Sequence, residues 1–396
     1  MSCRARLGVP MRILVVHNRY RQRGGEDVVA ESEVTLLRSR GHDVLLYEKG
    51  NEDVHGLSGA ANAMWSRRTR REISKVIGEF RPEVAHVHNV FHAISPAVYG
   101  MLASHGVPVV QTLHNFRLFC IRGTFERGAE ICERCVGASP WRGVALKCYR
   151  DSYAASGLLA ASLQLHRTLG TFRSAINRYV VLNEFCRRKF IECGIPREKI
   201  VVKPNFIDVP DPGREGARAG GLFVGRMVAE KGIDVLARAL ELAPGECTVI
   251  GDGPLADVLR QTAGVGFLGS VTRNEVIGRM REAAYLIMPS VWYETFGLVM
   301  IEAFASRLPV IASNIGAMAD LIEDGKTGLL FEAGSPVDLA RKLSWANAHP
   351  EEMRRMGDAA RAKYEHSFTS DRNYDMLLDL YKRVMADAGP VESDPA

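Results

Sequence analysis

The feature that most restricts this chain is a rhythm of short aliphatic runs and helix-length stretches that plays through once, stops, and starts again. Residues 11–18 contain the continuous run from Ile13 to Val16, the mark of a strand buried on both faces. Residues 28–40 follow with apolar positions at Val29, Val34, Leu36 and Leu37, and Gly41 stands where such a helix would end. Strands at 44–47, 84–87 and 107–113 and helices near 70–80 and 95–104 continue the series. After residue 205 the pattern restarts, with strands at 221–224, 247–250, 266–268, 284–288 and 309–312 and helices at 232–242, 255–261, 272–282 and 297–306. Alternation of this kind builds a parallel sheet with helices on both faces, and such sheets hold their ligands at the carboxyl ends of the strands. The expectation is two α/β domains, 11–208 and 221–369, joined by the polar, Gly- and Pro-rich segment 209–220 and followed by a last helix, 370–387. The length of 396 residues agrees, since one core rarely serves more than ~250–300.

Bulk properties narrow the class further. No apolar run approaches the ~18 residues of a membrane span, and the stretch from Ile13 to Val16 is too short for a signal-peptide core, so a cytoplasmic enzyme is expected. Residues 1–10 read as a tail before a second possible start at Met11, and 389–396 as a frayed end. The net charge of +5 hides an asymmetry: residues 1–205 carry 31 Lys+Arg against 18 Asp+Glu, whereas 206–396 carry 20 against 28. A basic half suggests an anionic partner, such as a phosphorylated lipid or an acidic membrane surface, or else simply a solvated arginine-rich face. The run from Arg67 to Arg71 beside Trp65 fits peripheral contact with anionic lipid.

The most informative stretch lies between residues 289 and 328. A strand, a loop holding Glu294 and a helix holding Glu302 follow one another, so the first amides of that helix, near Phe296, Gly297 and Leu298, have no partners within it. The helix dipole adds about half a positive charge there, which favours an anion. Gly297 allows close backbone approach, and two carboxylates can each accept hydroxyl hydrogen bonds, as a sugar and a ribose require. Upstream, Gly225-Arg226 and Glu230-Lys231-Gly232 follow a strand, placing a guanidinium fork and a mobile ammonium within reach of a diphosphate. Gly24-Gly25-Glu26 precedes the first long helix but lacks both the Walker A ending and the dinucleotide spacing, so neither nucleotide hydrolysis nor NAD chemistry is indicated.

These segments together resemble glycosyltransferase family 4. The resemblance rests on Ser290-Val291-Trp292-Tyr293-Glu294-Thr295-Phe296-Gly297-Leu298 leading to Glu302, on Pro309 to Ser313, and on Gly325-Lys326-Thr327-Gly328. It covers roughly residues 11–385 and is specific from 221 to 332. It implies the GT-B architecture, two Rossmann-like doubly wound domains facing a cleft, with the C-terminal helix returning to the N-terminal domain. It further implies a retaining sugar transfer from a UDP- or GDP-linked donor to a glycan or lipid-linked acceptor, with no nucleic acid bound. On that pattern Glu294 holds donor hydroxyls, Glu302 the ribose, the amides of Phe296, Gly297 and Leu298 the sugar and diphosphate, and Arg226 and Lys231 the departing phosphates. Gly24 and Gly25 approach the donor from the opposite wall, Gly251 shapes the base pocket, Asn205 is a further donor contact, and His114 points at the transferred sugar. His17, His86, His88 and His92 are further candidates. Two positions depart from the family pattern, Phe206 for a glycine and Asp320 for a glutamate. No Asp-x-Asp occurs, so no catalytic metal or other cofactor is expected. A nucleotide-sugar epimerase of the same form and a non-catalytic sugar-nucleotide binder are the rival readings.

Cys120, Cys132, Cys135 and Cys148 form Cys-x11-Cys-x2-Cys-x12-Cys within a stretch of little regular pattern. The spacing leaves open a structural zinc site, free thiols or a redox pair.

Overall fold

The computed structural model describes residues 9–20, 23–51, 64–128, 130–213, 216 and 218–388; the expected tail at 1–8 and the frayed end at 389–396 lie outside them. The N-terminal sheet has six parallel strands, β1 (Arg12–Arg19), β2 (Asp43–Gly50), β3 (Val84–Asn89), β4 (Val109–Thr112), β5 (Arg178–Val181) and β6 (Ile200–Val202), in the order β2-β1-β3-β4-β5-β6. Its long helices are α1 (Gly25–Ser39), α2 (Arg67–Phe80), α3 (Ala97–Ser104), α4 (Tyr153–Thr168) and α5 (Glu184–Glu192). Side chains of a strand alternate between faces, and β1 shows the result. Leu14 and Val16 join one core, and Ile13 and Val15 the other.

The C-terminal sheet repeats the plan with β7 (Gly221–Val224), β8 (Cys247–Ile250), β9 (Val265–Gly269), β10 (Tyr285–Met288), β11 (Val310–Ser313) and β12 (Gly328–Phe331), in the order β9-β8-β7-β10-β11-β12. Here too the strands feed two cores, with Leu286 and Met288 on one face and Tyr285 and Ile287 on the other. The helices are α6 (Ile233–Leu242), α7 (Ala256–Arg260), α8 (Arg273–Glu282), α9 (Leu298–Ala305), α10 (Gly316–Leu321), α11 (Pro336–Ala348) and α12 (Pro350–Ser367). These are the two Rossmann-like sheets of the GT-B arrangement.

The last helix, α13 (Ser370–Ala388), crosses back and buries Tyr374, Leu377, Leu380, Tyr381 and Val384 against β1, α1 and β4 residues of the N-terminal domain. Phe206, one of the two departures from the family pattern, is buried in that same cluster. An aromatic there fills the seam between the returning helix and the sheet, a place where glycine would leave a void. Regular structure also differs from the sequence reading at two ends near the cleft. Helix α1 begins at Gly25 rather than at residue 28, because the Asp27 carboxylate reaches back to the Gly24 amide at 2.7 Å and closes the first turn early. The chain also enters α6 through a 3-10 turn (Ala229–Lys231), a short element that the sequence reading did not contain.

Candidate functional site

Strand order reverses between β7 and β10, the place in such a sheet where ligands bind, beyond the carboxyl ends of the strands. The loop after β7 carries Arg226 and Lys231, and the loop after β10 carries Glu294. Two close approaches force these loops together. Gly232 has φ +69°, and a Cβ on it would stand 1.9 Å from the Pro289 carbonyl oxygen, so only glycine fits there. The Val291 amide bonds the Glu230 carbonyl at 3.0 Å.

The consequence is direct contact between Lys231 and Glu294, an ion pair between residues far apart in sequence. The same carboxylate oxygen, Oε1, also accepts from Ser290 Oγ and Trp292 Nε1, each at 3.0 Å. Glu294 is buried, which alone would favour its neutral form; the adjacent Lys231 ammonium and the Trp292 and Ser290 donors overcome that and hold its pKa below the ordinary value. The carboxylate is therefore charged and fixed in orientation. Gly297, at φ +81°, hands the chain into α9 with no side-chain cap, leaving the first amides of that helix open to a ligand.

The other expected donor contacts are distributed around this point. Glu302 is one turn further along α9 and pairs with Arg273 Nε at 2.8 Å; burial nevertheless raises its pKa. Arg226 is exposed at the crevice rim and makes no ion pair among the described residues. Phe296 is buried in the C-terminal core, so only its backbone can face a ligand. Gly251 has φ +131° and no room for a Cβ, which would meet the Gly225 carbonyl oxygen at 2.0 Å; it packs the β8 turn against the β7 turn. Asn205 is buried with its Oδ1 unpartnered, near the point where the chain leaves the N-terminal sheet.

The N-terminal domain closes onto the same place. A Cβ on Gly25 would stand 3.4 Å from Leu298 Cδ1, so the glycine loop abuts the start of α9. Thr295 Oγ1 donates to the His114 carbonyl at 2.8 Å, and Asn183 Nδ2 donates to the Thr295 carbonyl at 2.7 Å. Asp320, the second departure, receives the Glu184 amide at 3.0 Å and Arg188 at 3.2 Å, so it latches the two domains rather than meeting the donor.

His114 is half-buried at the end of β4, its Nε2 3.0 Å from His88 Nδ1 with the rings stacked. Burial, then the neighbouring His88, push its pKa well below the usual value, so the ring is neutral. The remaining histidines divide differently from the sequence expectation. His86 is wholly interior, with Tyr381 and Thr112 hydroxyls on its two nitrogens at 2.7 Å each. His88 stands behind His114 and 3.4 Å from Glu33. His17 is bonded to Asp27 at 2.8 Å, and His92 to the Tyr149 hydroxyl at 2.6 Å. Glu33, His86 and His88 bring ligand atoms within 4.8 Å of one another. They are not a vacant metal centre, because the Lys203 ammonium already sits on Glu33 at 2.6 Å.

Sequence reasoning overlooked Ser290, Trp292, Arg273, Glu33 and Glu26 as parts of the site or its support. The first two lie inside the motif that was read, four and two residues before Glu294, and their donor groups were the available signal. Cys120, Cys132, Cys135 and Cys148 all come from the excursion after β4 and are unpaired; Cys120 and Cys135 are buried. Burial and then the other three thiols push Cys135 up to about 11. No three of the sulfurs gather within 4.8 Å.

Two family models match the chain, Glycosyltransferase Family 4 over residues 23–210 and Glycosyl transferases group 1 over residues 214–363. The chain belongs to glycosyltransferase family 4. Among curated relatives it is 34% identical over 214 residues to D-inositol 3-phosphate glycosyltransferase of Mycolicibacterium smegmatis, covering 47% of this chain and 48% of that one. It is 31% identical over 157 residues to D-rhamnosyltransferase WbpZ of Pseudomonas aeruginosa, covering 38% and 41%. The chain thus spans less than half the length of these relatives. Among solved structures, a glycosyltransferase from Rickettsia africae superposes with a TM-score of 0.68 at 16% identity, over 95% of this chain and 99% of that one. HepE of Anabaena in complex with UDP-glucose gives 0.64 at 15%, over 94% and 100%. Similarity at that level establishes the fold of this family 4 member. Among its described residues no helix is long and apolar enough to cross a membrane.

Proposed function

We propose that this family 4 protein is a retaining glycosyltransferase that moves a sugar from a nucleoside diphosphate to a hydroxyl-bearing acceptor. The observation that carries the reading is the Glu294 carboxylate, held charged by Lys231, Ser290 and Trp292 beside the uncapped start of α9. A donor diphosphate at that helix start meets open amides and positive dipole, and Arg226 and Lys231 neutralise the charge that grows as it departs. The acceptor oxygen bonds to the anomeric carbon from the face that the phosphate leaves, the bond from that carbon to the phosphate oxygen breaks, and the acceptor proton passes to the leaving phosphate. No side chain is then needed as a base and no divalent metal as a charge clamp. Glu294 orients the sugar hydroxyls, Glu302 exchanges Arg273 for the ribose, and the neutral His114 faces the sugar from the other wall.

The named relatives differ in the sugar or acceptor they handle, so both UDP and GDP belong in the test. A nucleoside diphosphate at ~100 times its Kd should raise the melting temperature by roughly 5 °C, from about 2.7 kcal/mol of linkage in a protein of this size. If none of UDP, GDP, ADP and dTDP does so, the donor site does not exist. The corresponding nucleotide sugars then identify the donor through an anomeric product read by NMR.

A glycan or lipid-linked acceptor at an anionic membrane surface is part of the same proposal. Its support is α2, which exposes Arg67, Arg68 and Arg71 next to Trp65, although Arg68 already pairs with Glu72. Structural zinc at Cys120, Cys132, Cys135 and Cys148 is part of the same proposal; its support is their shared excursion, with burial and then the neighbouring thiols disfavouring free thiolate at Cys135 and Cys148, and the sulfurs would have to draw together to hold the ion. Metal analysis of purified protein should give close to one zinc per chain, and a value under ~0.2 leaves four free thiols.

A further inference from the structure

We infer that the N-terminal wall of the cleft carries a subsite for a phosphate-type anion on the acceptor, formed by Arg117 and Arg150 around Tyr149, with His92 and Glu26 alongside. The inference rests on the transferase reading above and specifies its acceptor.

Two segments leave the carboxyl ends of adjacent strands and meet here. The loop after β3 supplies His92, and the excursion after β4 supplies Arg117, Tyr149 and Arg150. The guanidinium carbons of Arg117 and Arg150 stand 5.5 Å and 5.3 Å from the centre of the Tyr149 ring, and the Tyr149 hydroxyl bonds His92. Several cations of this domain meet carboxylates, among them Arg19 with Glu48, Lys49 with Glu72, Arg122 with Glu126 and Lys189 with Glu133, while Arg70, Lys147 and Arg167 each lie singly over an aromatic ring of their own. Among the described residues neither Arg117 nor Arg150 has a carboxylate partner. Arg150 makes no hydrogen bond, and the Arg117 side chain makes one long contact, 3.4 Å to the Ile121 carbonyl. Arg150 is exposed and Arg117 half-buried, and two like charges on one ring repel each other, so an anion that reaches both is favoured there.

The Glu26 carboxyl, which feels the Arg117 charge, does not serve as that anion. Glu26 shares a small cavity with His114, Asn115 and Arg117, and burial pushes its pKa up to about 8, against Tyr20, Arg117 and Asn115, which favour its charged form. Its Oε2 accepts from Tyr20 at 3.2 Å and Asn115 at 3.3 Å, while Oε1 makes no hydrogen bond among the described residues. A protonated carboxyl with a free oxygen can receive an acceptor hydroxyl. The anion would then lie on the Arg117 side and the donor sugar on the Gly25 side, where the two domains already touch.

The probes are glycerol 1-phosphate and uncharged glycerol, titrated calorimetrically into the full chain with and without saturating UDP or GDP. Glycerol 1-phosphate should bind with nucleotide present and glycerol should not. Arg150→Gln and Arg117→Gln should each weaken phosphate binding ~10-fold, the size of one charge-assisted contact, and leave nucleotide affinity within about twofold. Arg150→Gln guards against misfolding, because that side chain holds no other group in place. Equal phosphate affinity in wild type and both variants overturns the subsite, as does complete displacement of the phosphate by nucleotide, which would put it in the donor pocket. If no nucleotide binds, the transferase reading fails, while the nucleotide-free titrations still decide the subsite. A parallel arm uses phosphatidylcholine vesicles with and without phosphatidic acid. Sedimentation that depends on phosphatidic acid and is lost in Arg150→Gln assigns the phosphate to a lipid headgroup, and binding of the soluble ester alone assigns it to a free phosphorylated acceptor.

Discussion

Glu294→Gln and Lys231→Ala should each lower sugar transfer at least ~100-fold, the scale of one preorganised electrostatic contact in a site that excludes water. The reasoning differs for the two. Glutamine keeps the shape of Glu294 but removes the charge that fixes Lys231, and its amide can accept on only one of its two heads. Alanine at 231 removes the cation that meets the departing phosphate, so kcat and kcat/KM should fall together, the signature of an interaction made mainly in the transition state. Glu294 is buried and Lys231 partly so, but in Lys231→Ala the Ser290 and Trp292 donors still bond the carboxylate, and the α6 and α9 helices that the two side chains precede are held by their own buried faces. Melting temperature should therefore change far less than rate. Near-normal turnover in both variants would end the catalytic assignment, and a large rise in KM alone would make the pair a ground-state binding device.

Much of this arrangement could be read from the chain, and the reason is local. A strand buried on both faces has to be a continuous aliphatic run, so Ile13 to Val16 and Tyr285 to Met288 announce themselves, and the turn glycines mark where such strands stop. The Glu294 loop was visible because the groups proposed to meet the donor there come from one short segment. What was not visible is every contact between distant segments. Nothing near Lys203 points to Glu33, and nothing near Asp320 points to Arg188; these pairs exist only once both sheets are assembled. The histidines show the same limit. His86 and His88 are two apart on β3 and so share a face, a pattern available from sequence, but which of them reaches the cleft depends on α13 covering His86 with Tyr381.

That buried cluster predicts the largest stability effect in the molecule. Lys203 and Glu33 are each 1% exposed, and Lys203 Nζ bonds Glu33 Oε1 at 2.6 Å and Asn373 Oδ1 of α13 at 3.2 Å. Asn373 Nδ2 in turn donates to the Pro204 carbonyl at 2.8 Å, so the cluster ties the exit of β6 to the returning helix. Lys203→Met removes the ammonium and strands a buried carboxylate, at a cost of ~3–5 kcal/mol, whereas Lys203→Met with Glu33→Gln should recover much of it, because no unpaired charge remains. The pH dependence separates this from a packing defect. In the wild type burial would raise the Glu33 pKa, but chiefly Lys203 holds it well below 4.5; its contribution is present above 4.5 and is lost as pH falls through the lowered value. His86, kept neutral chiefly by burial, adds a loss in the same direction below 6.5, where the unfolded chain takes a proton that the folded one refuses. In Lys203→Met the stranded Glu33 takes a proton more readily than an exposed carboxyl does, so the deficit relative to wild type should be greatest at neutral pH and shrink on acidification. Chemical denaturation at pH 7 and pH 5 measures it. A deficit below ~1 kcal/mol, or one that does not change with pH, would mean that Lys203 is held by packing rather than by charge.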